Sequence, residues 1–236
     1  MAEPLVLLPG MMCDARVWAT QLTVLSYERP VTVAPVCTGD RIEEIASGLL
    51  SSLPQKFALC GHGMGGIVAL ELARRAPERV IRLALLGTNA LMDTPQEAAD
   101  REPRMIAARA GRFDGMLQSE VLPRYVGPGL RQQAAMAELQ DMALSLGADI
   151  YVRQERAMQR RRDQQGTLRR ITQPTLVLAG SDDQVVPLKR QEFMAELIPY
   201  AKLGVLDGVG HMSMLEDPEG VTEALYAWMR QPLVLR

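Results

Sequence analysis

The sequence predicts an α/β fold: a mostly parallel sheet covered by helices on both faces, carrying one helical insertion. Three observations predict it. Six short apolar runs recur along the chain, and segments with apolar residues at helical spacing lie between them. One long stretch, residues 93–171, has helix-like sequence and no convincing strand. Near-continuous apolar strands that alternate with helices imply a sheet buried on both faces.

Taken in order, PLVLLPG (4–10) reads as a buried strand ending in a turn, and VTVAPV (31–36) as the next strand. RIEEIASGLLSSL (41–53) places its apolar residues at helical spacing. FALCG (57–61) is a strand, GGIVALELARRAP (65–77) a helix stopped by its proline, and VIRLALLGT (80–88) a strand. The stretch 93–171 follows, rich in alanine, glutamine, methionine and arginine. Its 13 arginines are offset by 11 acidic residues, so the run RRR (160–162) reads as a solvated helix face. Its methionines (Met105, Met116, Met136, Met142, Met158) read as core filler, and any that face a pocket suit an adaptable apolar ligand. TLVLAG (175–180) and KLGVLDG (202–208) complete the strands. LKRQEFMAELI (188–198) and PEGVTEALYAWM (218–229), the latter with proline in its first turn, complete the helices. Residues 1–92 and 172–236 thus form a core into which 93–171 is set as a helical lid.

A length of 236 residues fits one domain with an insertion. With 47% hydrophobic and 23% charged residues the chain has ample material for a core. A formal net charge of −2 points to neither a nucleic-acid nor an anionic-membrane partner. Cys13, Cys37 and Cys60 are scattered and lack metal-ligand spacing, which argues for a reducing compartment and against a zinc site or disulfide framework. The opening MAEPLVLLPGMM has no basic leader, and no run approaches the length of a membrane span. The expectation is a cytoplasmic protein without metal or organic cofactor and without membrane insertion; its oligomeric state is not readable.

Chemistry concentrates at ALCGHGMGG (58–66). A strand that turns sharply into a helix through G-x-?-x-G lifts the middle side chain above the sheet, and here that residue is Gly63. Gly61 and Gly65 flank it because neighbouring backbone passes too close for a β-carbon. Met64 opens the helix, so its N–H points toward the site with the helix dipole behind it. The loop lacks both the Lys-Ser/Thr ending of a phosphate-binding loop and the register of a dinucleotide site. Only two histidines exist: His62 inside the turn, and His211 in GVGHMSMLEDPEGV, well placed as an acid/base. GSDDQVVP sets Asp182 and Asp183 at the end of a strand, where open parallel sheets bind ligands.

The order elbow, acid, histidine resembles the α/β-hydrolase superfamily, and the resemblance covers nearly the whole chain. LLPGMMCDARVW is similar to the loop after that family's first strand, which implies that the Met11 N–H serves in an oxyanion hole with the Met64 N–H. LVLAGSDDQVVP is similar to the acid loop and selects Asp183 over Asp182; GVGHMSMLEDPEGV selects His211. The implied activity is hydrolysis of a carboxylic ester, thioester or lactone of a small apolar acyl substrate by a Ser-Asp-His mechanism. Two departures stand out: Gly63 occupies the nucleophile position, and the family's leading hairpin is absent.

Three accounts of Gly63 stay open. A parent serine has been replaced, leaving an inactivated, substrate-trapping variant; or a natural His211–Asp183 dyad activates water or abstracts a proton; or the chain is a non-catalytic binder. Around the site, Asp182 reads as a loop cap, His62 as a packed, hydrogen-bonded support, and Cys60 as a core residue. Cys13 stands near enough to Met11 to line the pocket, and Asp14 reads as a helix N-cap.

Overall fold

The computed structural model describes residues 2–233. Its centre is a six-stranded, fully parallel sheet in the order β2-β1-β3-β4-β5-β6. The strands are β1 (Leu5–Leu8), β2 (Val31–Val33), β3 (Phe57–His62), β4 (Val80–Leu86), β5 (Thr175–Gly180) and β6 (Ala201–Leu206). β1, β3 and β5 are buried along their whole length and β4 nearly so, because helices cover both faces and leave no solvated side. β2 and β6 are the edges, and β6 exposes Leu203 and Val205.

The connecting helices carry the periodicity read from the sequence. α1 (Ala19–Leu25) follows a 3-10 turn (Ala15–Trp18) capped by Asp14, whose side chain accepts the Arg16 N–H. α2 (Ile42–Leu50) buries Ile42, Ile45, Ala46 and Leu49 on one stripe. α3 (Met64–Arg75) leaves the β3 turn and is buried over most of its length.

Between β4 and β5 the described chain is helical: α4 (Pro95–Ala99), α5 (Glu102–Ala107), α6 (Phe113–Met116), α7 (Leu122–Tyr125), α8 (Gln132–Leu146), α9 (Ala148–Gln159) and α10 (Gln165–Leu168). Thr94 starts it with a capping box to Glu97. α11 (Leu188–Leu197), α12 (Ser213–Glu216) and α13 (Pro218–Met229) complete the core. α2, α3 and α11 cover one face of the sheet and α1 and α13 the other. α13 buries Val221, Leu225 and Trp228 completely, at roughly 1.5–3 kcal/mol per large side chain. Among the described residues no helix is long and apolar enough to cross a membrane.

The basic run 160–162 is not a solvated helix face. α9 stops at Gln159, so the three side chains splay from a turn. Arg161 is buried and pairs with Asp93 at 2.5 Å, while Arg160 and Arg162 reach Asp40 and Glu43. The partners lie far away in sequence, Asp40 and Glu43 before the stretch and Asp93 at its very start, so no local charge pattern marks which arginine is buried.

Candidate active site

The elbow is built by backbone contacts. Gly63 lies between β3 and α3 at φ +52°, a region that a residue with a β-carbon enters only with strain. Its N–H donates to Leu86 O (2.9 Å), and its carbonyl accepts the Thr88 hydroxyl (2.6 Å) and the Gly66 N–H (3.1 Å). A β-carbon on Gly61 would lie 2.4 Å from Gly65 O, and one on Gly65 would lie 2.4 Å from Leu8 O. Those two positions are closed to any other residue. Gly63 differs, because the nearest atom to its would-be β-carbon is His211 Nε2, at 3.2 Å.

His211 and Asp183 meet there from two other loops. Asp183 follows β5; its Oδ1 accepts the N–H groups of Val185 and Val186, both at 2.8 Å, and its Oδ2 accepts His211 Nδ1–H at 2.9 Å. Burial alone would raise its pKa, but the adjacent imidazole and these donors outweigh burial and hold the carboxyl below its ordinary range. Asp182, by contrast, is exposed and its side chain accepts only the Ser181 hydroxyl. Since Nδ1 carries the proton given to Asp183, Nε2 presents a lone pair toward Gly63.

The His211 loop is held on three sides. Its N–H donates to Tyr125 O (3.0 Å), and the Tyr125 ring stands edge-on at 5.0 Å. Glu216, at the end of α12, accepts the N–H groups of Gly127, Gly210 and Met212 at 2.8–2.9 Å. His62 donates from Nε2 to His211 O at 2.9 Å. Burial and the neighbouring His211 push the His62 pKa down to about 3, so its ring is neutral, and its Nδ1 has no hydrogen-bond partner among the described residues.

The loop after β1 abuts the elbow: Gly10 Cα lies 3.9 Å from the β-carbon position of residue 63. Among the described residues, neither the Met11 nor the Met64 N–H finds a backbone or side-chain acceptor. Met12 sits at φ +61°, the only non-glycine described residue with positive φ, and its N–H donates to Gln154 Oε1 (2.9 Å) from α9. Cys13 and Cys60 are both buried, and burial pushes both thiols far up; Cys13 does not line the cavity beside Met11.

That cavity, of about 180 Å³, meets the site at Met11, Tyr125, Val185 and Val186. Its far wall is not apolar, as the sequence led us to expect, but is made by Asp93, Arg101, Arg104, Glu155 and Arg161. Of the five methionines singled out in residues 93–171, only Met158 lines it. Tyr125, Gln154 and the arginines that reach Glu155 act across tens of residues, and Glu216 lies inside the His211 motif without a residue pattern that marks its role. Among the described residues no cluster of His, Cys, Asp or Glu is arranged to hold a metal ion.

The profile of the alpha/beta hydrolase family matches residues 5–224. The chain belongs to that family. A pimeloyl-[acyl-carrier protein] methyl ester esterase from Aromatoleum aromaticum is 31% identical to this hydrolase-family chain over 91% of it and 93% of the esterase. The malate-bound structure of a thermophilic esterase from Thermogutta terrifontis superposes with a TM-score of 0.86 at 29% identity, covering 98% of this chain and 90% of that one. An enol-lactonase from Burkholderia xenovorans LB400 shares the fold, with a TM-score of 0.88 at 23% identity over 98% of this chain and 92% of the lactonase.

Proposed function

We propose that this hydrolase-family site is built for a small acyl substrate, a carboxylic ester, thioester or lactone, and that Gly63 occupies the nucleophile position. The observation that carries the proposal is the disposition of His211. Its Nε2 faces the β-carbon position of residue 63 at 3.2 Å, while Asp183 holds Nδ1 from behind. A serine hydroxyl there would fall within reach of a base already in the right tautomer. His211 would take the serine proton and return it to the leaving group. Asp183 would orient and stabilise the imidazolium, and the Met11 and Met64 N–H groups would receive the oxyanion. Residues 93–171 would act as the lid over the cavity. The relatives support the acyl chemistry, being named an esterase of an acyl-carrier-protein methyl ester and a thermophilic esterase. The free cysteines fit a cytoplasmic setting.

Glycine has no oxygen to attack with. Removing such a nucleophile costs roughly 10⁴ to 10⁶-fold, while binding and the oxyanion hole retain about 10³ to 10⁴ over water. The Gly63 chain would therefore hold acyl substrates and release them largely uncleaved. A second reading, in which the His211–Asp183 pair activates a water, is favoured by the same geometry, because glycine leaves Nε2 open to that water.

The test is hydrolysis of short p-nitrophenyl esters by the Gly63 chain and by Gly63→Ser, side by side. We expect a burst and a gain on the order of a thousandfold with serine. If serine gives no gain while His211→Ala abolishes the activity of the Gly63 chain, the water reading replaces the serine one. Should serine gain nothing and His211→Ala lose nothing, the chain is a binder.

A further inference from the structure

We infer that the acyl substrate of this site carries a carboxylate at its distal end, and that Arg104 receives it; this rests on the acyl-substrate reading above. The far wall of the cavity brings together three guanidinium groups (Arg101, Arg104 and Arg161) and two carboxylates (Asp93 and Glu155). All five are largely buried; the Asp93 and Glu155 side chains are only 2% and 3% exposed. The acceptors are fully used. Asp93 takes Arg101 and Arg161, and Glu155 takes Arg101, Arg104 and the Tyr151 hydroxyl, the last at 2.6 Å.

The guanidinium charges are not all matched by carboxylates. Arg104 meets Glu155 through Nε, at 3.3 Å, and hydrogen-bonds the Tyr151 side chain, and among the described residues its two terminal nitrogens have no carboxylate partner. One net positive charge is thus left on a poorly hydrated wall, and an unpaired buried charge is costly. The pKa of Arg161, lowered by burial and by the nearby Arg101, reflects the same crowding of positive charge. The rim adds Glu97, Asp100, Glu120 and Arg124, but these are exposed, where water and salt screen them. An anionic group entering from Met11 and Tyr125 therefore finds its complement in the Arg104 fork. A carboxylate matches that planar fork through two parallel hydrogen bonds. The modest cavity favours a short chain between the two ends, as in the half-ester of a small dicarboxylic acid.

Two measurements test this. On the Gly63→Ser chain, mono-p-nitrophenyl glutarate is compared with p-nitrophenyl butyrate, which has a similar chain and no charge. We expect kcat/KM to favour the charged ester by about tenfold or more, and Arg104→Gln to collapse that ratio. On the unaltered Gly63 chain, titration calorimetry compares monomethyl glutarate with methyl butyrate and needs no variant at all. Tighter binding of the charged ester is expected. If Gly63→Ser cleaves the neutral ester equally well or better, the carboxylate inference fails and the hydrolase reading stands. If Gly63→Ser cleaves neither ester but the Gly63 chain still binds the half-ester selectively, the anion site stands and the serine reading falls. No cleavage and no selective binding overturn the inference.

Discussion

Gly63 is the glycine of the elbow whose missing β-carbon the surrounding backbone does not enforce. Gly61 and Gly65 are fixed by carbonyls at 2.4 Å, whereas Gly63 faces one movable imidazole at 3.2 Å. Its dihedral is another matter. At φ +52° a side chain costs about 1–3 kcal/mol in backbone strain, so Gly63→Ser should melt at a lower temperature than the Gly63 chain even as it gains esterase activity. A serine form that melts higher would refute the strain argument. Much of this site could be read from the residues alone, since Gly63, Asp183 and His211 sit in short motifs that each follow a strand. Tyr125 and Glu216 could not. Tyr125 reaches the His211 loop through a backbone carbonyl from a helix more than eighty residues away, and Glu216, though inside the His211 motif, acts through a carboxylate that no residue pattern marks.

α9 packs against α5 and α8 and also reaches the loop after β1 that abuts the elbow. Its Gln154 side chain is completely buried and holds the Met12 N–H, fixing the positive-φ residue that follows Met11. The orientation of the Met11 amide therefore depends on a helix more than a hundred residues further along the chain. In the Gly63→Ser background, Gln154→Ala should lower kcat by roughly fivefold to tenfold, the worth of one buried hydrogen bond, with a smaller change in KM. An unchanged kcat would mean that the loop keeps its shape without the helix. The strands were readable because both faces are covered, which makes each one a continuous apolar run. The helices between β4 and β5 were readable as helical, but not in their joints: π-helical turns at Ala108–Arg112 and Leu117–Val121 interrupt them, the first around Gly111 at φ +75°. The end of α9 at Gln159 likewise carries no proline or glycine to announce it, and that is how Arg161 was misread.

Across the whole molecule, buried ionisable groups set the response to acid. His62 is neutral in the folded chain, with its pKa pushed down to about 3 from an ordinary 6.5, so on acidification the unfolded chain takes up that proton first. Its contribution is therefore present above pH 6.5 and is lost as pH falls toward 3, at up to about 1.4 kcal/mol per pH unit. Glu71, held by Arg74 and Arg75, has a pKa of about 2 and Asp183 is also lowered. Both stabilise the fold above the ordinary carboxylate range and lose that contribution on further acidification. Denaturant midpoints at pH 7 and pH 5 should show the chain weakening, and His62→Gln should flatten that first slope; equal slopes in both proteins would refute the assignment to His62. None of this global electrostatics was accessible from composition, because a net charge of −2 says nothing about which carboxylates and arginines are buried together. The parallel topology, in contrast, was accessible. It also explains why chain order sufficed to gather three loops, since all strands end at the same edge of the sheet.

The tight backbone packing around the elbow has a genetic consequence. Glycine and serine are neighbours in the code: a glycine triplet ending in a pyrimidine becomes a serine triplet by changing its first base. At Gly61 and Gly65 such a change is forbidden by the fold, so drift there is purged as misfolded chain. At Gly63 the fold permits it. Where codon 63 ends in a pyrimidine, one transition therefore separates this sequence from serine at position 63, and the gain of hydrolysis proposed above would lie a single base change away.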